Sequence, residues 1–92
     1  MDNRYYDVKI DLVAYSLSSG SIISRQLFET STFKNYGEAF NFCEKIVNEK
    51  PRYYNDIIKF KAPSIIQIDD ILKRDITPGI FSIEQIVSKN LY

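Results

Sequence analysis

Between Tyr6 and Leu12 the chain alternates strictly, with Tyr6, Val8, Ile10 and Leu12 set against Asp7, Lys9 and Asp11. On a helix this spacing would scatter the apolar residues around the circumference, whereas a strand collects them on one side and the charges on the other. The segment Tyr5 to Leu17 therefore reads as a half-buried strand, and a strand needs neighbours. Past Leu12 the run Val13-Ala14-Tyr15 is apolar on both sides, as expected where a strand end is covered twice or bulged. Ser18-Ser19-Gly20-Ser21 supplies small residues and a glycine able to take positive φ, and Ile22 to Thr30 resumes an extended composition. The first thirty residues thus predict an antiparallel hairpin.

A helix follows. Asn35 is placed to cap it, with Glu38 three residues on in a capping-box spacing. From Tyr36 onward Tyr36, Ala39, Phe40, Cys43, Ile46 and Val47 recur at helical intervals, with Phe42 widening the stripe, and Pro51 ends the element near Lys50. Ile58, Phe60 and Ala62 then alternate with Lys59 and Lys61, predicting a strand from Ile57 to Ala62 that returns to the hairpin.

Residues 64 to 74 carry mixed signals. Ser64 and Gln67 match a capping box, and Asp69/Lys73 and Asp70/Arg74 are spaced as helical ion pairs, yet Ile65, Ile66 and Ile68 favour a strand. The reading adopted is a short strand running into one helical turn. Thr77-Pro78-Gly79 is a turn, and Ser82 with Gln85 caps a last short helix presenting Ile83, Ile86 and Val87. The expected fold is an α+β two-layer sandwich, mainly antiparallel, in the order ββαβ(β)α, forming one domain over residues 1–92.

Composition narrows the chemistry. The chain has no histidine, one cysteine and three glycines. Lacking imidazole, it lacks the commonest general base, the usual partner of a Ser or Cys nucleophile and the most frequent transition-metal ligand. A lone thiol cannot complete a structural zinc site, and three scattered glycines build no phosphate loop. The expectation is a protein that is not an enzyme and takes no cofactor or metal.

Carboxylates remain. Asp69 and Asp70 with Asp75 could hold a hard cation, and Asp7 with Asp11 could hold one or act as an acid/base pair, although caps, helical pairs and a solvated strand face are the plainer accounts. Cys43, inside the apolar stripe, is expected to be an inert core residue. A single cysteine also points to a reducing compartment, and the absence of a leader or a long apolar run points to a cytoplasmic location with no membrane contact.

Twelve basic and twelve acidic side chains cancel, so no global field steers the chain toward nucleic acid, and a near-zero charge favours self-association. The tyrosines suggest contact surfaces, because Tyr5-Tyr6 and Tyr53-Tyr54 must each place one ring on either side of an extended backbone. The expected function is a small non-catalytic protein-binding regulator or inhibitor, as a homodimer or on another protein. Its contact residues would be Tyr5, Tyr6, Tyr15, Phe81 and Tyr92 along the hairpin edge and the C-terminal segment. The alternative is an RNA or single-stranded DNA surface built from Arg52, Tyr53, Tyr54, Lys59 and Lys61, where cations and rings alternate. Lys59 and Lys61 would serve equally as edge protection.

Overall fold

The computed structural model describes residues 3–91. Its elements follow the chain as β1 (Tyr5–Ser16), β2 (Ser21–Phe33), α1 (Tyr36–Val47), β3 (Arg52–Tyr54), β4 (Ile57–Ile68), β5 (Lys73–Asp75), a single 3-10 turn at Gly79–Phe81, and α2 (Ile83–Leu91). The expected α+β two-layer arrangement is the one observed, an antiparallel sheet with two helices. The strands lie in the order β2-β1-β4-β3, with β5 also paired to β4. β3 takes the start of β4 (Ile57 to Lys59) and β5 takes its end (Ile66 to Ile68).

The local signals act as anticipated in the hairpin and both helices. Gly20 has φ +67°, and its N–H donates to Ser16 O at 2.9 Å to close the β1–β2 turn. Asn35 Oδ1 accepts from Glu38 N at 2.9 Å at the start of α1, and Ser82 Oγ accepts from Gln85 N at 3.2 Å at the start of α2.

The stretch 64–74 departs from expectation. β4 continues without a break to Ile68, and no helical turn follows. Asp69 Oδ1 instead accepts from Ile71 N at 3.1 Å and Leu72 N at 2.8 Å, while Asp69 N donates to Leu72 O, so the chain reverses into β5. The carboxylate spaced for a helical ion pair is used as the acceptor of a tight turn. Its backbone partners Leu72 and Ile71 hold the Asp69 carboxyl below its ordinary pKa.

Pro63 survives inside β4 because of where the edge opens. Ile65 N donates outward to Thr77 Oγ1 at 2.9 Å, and Pro63, two residues earlier, directs its nitrogen the same way. That is the side away from β1, between β3 and β5, where no strand needs an N–H from it.

Two apolar clusters form the core. Val8, Ile10 and Ile65 pack under α1 with Ala39, Cys43, Ile46 and Phe81. Val13, Ile58, Phe60 and Ala62 pack under α2 with Ile83, Ile86 and Val87, and Val47 at the end of α1 touches both clusters. The β1–β4 register is unbroken between them. Both strands nevertheless change the parity they bury, from Val8 and Ile10 to Val13 in β1 and from Ile58 and Phe60 to Ile65 in β4. Two bulges in β2 bracket that level: Phe28 and Ile23 are skipped where Ile10/Asp11 pair with Glu29/Leu27 and Ala14/Tyr15 pair with Ser24/Ile22. Bulges sharpen strand twist. The doubly apolar run Val13-Ala14-Tyr15 is this transition seen in sequence.

Candidate functional site

A parity switch leaves something uncovered. Opposite residues of an antiparallel pair share a side, so Leu12 and Ala14 lie on the same side as Lys61 and Lys59 of β4 and Gln26 and Ser24 of β2. This is the parity that α1 covers further along the sheet and that α2 leaves open. Here it forms a groove of about 610 Å³, rimmed by Glu49 and Lys50 from the connection after α1 and by Arg52 at the start of β3.

The groove gathers charge of one sign. Lys50, Arg52, Lys59 and Lys61 line it against the single carboxylate of Glu49, which pairs with Lys61 at 3.2 Å. Arg52 stands directly opposite Lys59 in the β3–β4 ladder. Two like charges in that position repel. Among the described residues neither Lys50 nor Arg52 has an ion-pair partner.

Aromatic rings flank the cations. The Lys59 ammonium lies 5.1 Å from the Tyr54 ring centroid, and the Lys61 ammonium lies 4.9 Å from that of Phe28. Both rings are half exposed. Of the basic and aromatic set read from sequence, the fold unites Arg52, Tyr54, Lys59 and Lys61. Tyr53 turns to the other side, opposite Ile58, and its hydroxyl donates to Asn90 O of α2 at 3.0 Å. Phe28 escaped the sequence reading because its place opposite the lysines depends on the bulge.

The proposed protein-contact set is dispersed. Tyr5 is exposed, Tyr6 packs on the first cluster edge-on to Tyr36, and Tyr15 packs on the second. Phe81 is a correction: it is 2% exposed and packs against Phe40 at 5.0 Å between centroids, so it belongs to the core. Tyr92 lies outside the described residues.

The hairpin edge itself is prominent for other reasons. β2 is the outer strand of the sheet and is exposed along nearly its whole length, with Ile22 44%, Ile23 54%, Leu27 61% and Phe28 50% accessible. The doublets Ile22-Ile23 and Leu27-Phe28 were the available signal, since adjacent apolar residues in a strand cannot both face one covered side.

The carboxylates have local partners. Asp7 accepts from Thr32 Oγ1 at 2.8 Å, Asp11 pairs with Arg25, and Asp75 Oδ1 accepts from Thr77 N at 2.9 Å. Asn3 Nδ2 lies 3.3 Å from Asp70 Oδ2. Among the described residues no three His, Cys, Asp or Glu side chains converge. Cys43 is fully buried, and desolvation pushes its thiol up to about 12, which removes the reactive thiolate at neutral pH. No family model, curated protein or solved structure matches this chain.

Proposed function

We propose that this is a small non-catalytic protein-binding regulator or inhibitor whose contact surface is the outer edge of β2 and whose first partner is a second copy of the chain. The observation that carries this reading is a 13-residue edge strand exposing four large apolar side chains. At ~3.4 Å per residue such an edge runs ~44 Å, with a row of backbone donors and acceptors available for strand addition. Edge strands are ordinarily guarded by lysine, proline or inward-pointing charge. β2 has neither lysine nor proline, and its two bulges divide the edge without covering its apolar residues. The buried, protonated Cys43 suits the reducing interior of a cell, where we place the protein. No helix among the described residues is long and apolar enough to cross a membrane.

Sedimentation velocity across a dilution series tests the proposal. The expected species has twice the 10.8 kDa chain mass, and the double variant Ile23→Lys/Leu27→Lys should run as a monomer with an unchanged far-ultraviolet spectrum. A wild-type chain that stays monomeric at high concentration overturns the reading.

A further inference from the structure

We propose that the groove between β2 and β3 is a binding site for single-stranded nucleic acid, with Arg52, Lys59 and Lys61 on the phosphates and Phe28 and Tyr54 stacking on bases. The site lies on the broad side of the sheet and shares only Phe28 with the exposed apolar row of β2. Charge carries the argument first. The whole chain is neutral, yet this one surface holds four cations against one carboxylate. Arg52 and Lys59 face each other without an anion between them, an arrangement that repels itself until an anion occupies it.

The layout selects among anions. Lys59 and Lys61 are alternate residues of one strand, so their stems rise ~6.8 Å apart as a row that a repeating anionic backbone can follow. Phe28 on β2 and Tyr54 on β3 sit on either side of that row, three strand intervals (~14 Å) apart across the sheet and five to six residues (~18 Å) apart along it. An acidic peptide would use the cations and leave the rings idle. A single strand uses both, because every base offers a face to stack while its phosphates meet the lysines. A duplex hides those faces. Each half-exposed ring is met by one ammonium group, Lys59 at Tyr54 and Lys61 at Phe28, which moves from ring to phosphate as a base stacks there.

Fluorescence anisotropy with labelled oligothymidylate and oligouridylate of about a dozen nucleotides, on the full chain, tests this. Three net positive charges predict a log–log salt slope of about −2, so a fourfold rise in salt should weaken binding roughly fifteenfold. Tyr54→Ala and Phe28→Ala should each weaken it at least about fivefold. Arg52→Glu/Lys59→Glu should abolish it while circular dichroism and thermal melting remain those of a folded chain. Glu49→Gln, which removes the rim carboxylate, should tighten it. Comparing the two oligonucleotides shows whether the strand is DNA or RNA. Absence of binding at low salt, equal affinity for a duplex or for polyglutamate, or ring variants that bind as well as wild type would each overturn the proposal.

Discussion

β2 and β4 are the two strands flanking β1, 13 and 12 residues long, and both carry several large apolar residues, including isoleucine and phenylalanine. Their fates differ completely. β4 has β1 along one side, β3 and β5 at the two ends of the other, and both helices upon it, and it buries Ile58, Phe60, Ala62, Ile65 and Ile68. β2 has a neighbour on one side alone and leaves Ile22, Ile23, Leu27 and Phe28 in solvent. β4 even tolerates a proline, at the one stretch of its edge left without a strand partner. Composition made both segments extended. Position in the sheet decided which one holds the molecule together and which one is free to meet a partner.

The sharpest way to break that comparison is to truncate matched side chains in the two strands. Ile58→Ala and Ile65→Ala, at sites with no exposure, should each cost about 2–5 kcal/mol. Ile22→Ala and Leu27→Ala, measured by urea denaturation at concentrations low enough to keep the chain monomeric, should stay within about 0.5 kcal/mol. Comparable losses in both strands would mean that β2 is packed and not open. Reactivity of Cys43 toward a thiol reagent gives an independent reading of the same contrast. The label should enter only on opening of the α1 cluster, faster in Ile65→Ala and unchanged in Leu27→Ala.

A smaller effect is expected at the start of α1, the element that separates the two strands in sequence. Asn35→Ala should cost about 1 kcal/mol, with Asn35→Ser retaining most of the stability.

The smallest effect lies at the far end of the sheet, where Asp56 ties the β1–β2 turn to the β3–β4 turn. Its carboxylate accepts from Ser18 Oγ at 2.6 Å, Ser16 Oγ at 2.8 Å and Ser18 N at 2.9 Å. The Ser18 hydroxyl first, and then that of Ser16, hold its carboxyl below the ordinary aspartate value. A folded-state pKa below the unfolded one means that the stabilisation is present above the unfolded value and fades as pH falls through the folded one. In an acid titration followed by thermal melting, Asp56→Asn should start slightly less stable at neutral pH and lose less on acidification. Parallel curves for the variant and wild type would show that the turn-to-turn tie contributes nothing.

Much of the architecture is legible in the residues that encode it. The alternation in β1, the Gly20 turn, Asn35 at its cap and the stripe through Ala39, Cys43 and Ile46 each specify local geometry over a few consecutive positions. The short strands are not legible: β3 and β5 have three residues each, too few to carry a period, and Asp69 serves a turn as readily as a helix. The candidate site was read in part. Arg52, Tyr54, Lys59 and Lys61 stood together as a composition, while Phe28 joined them through a β2 bulge, and Tyr53 was lost to α2.

The sequence by itself determined what the chain has to react with, no imidazole and one thiol, and where it is extended, helical or turned, because those properties depend on residues close in the chain. Only the tertiary structure decided which apolar residues are buried, that the buried parity reverses midway along β1 and β4, and that the cations of β3 and β4 line one groove with a β2 ring against one of them. These outcomes depend on sheet order, twist and bulges, which arise from contacts between residues tens of positions apart and leave no local signature.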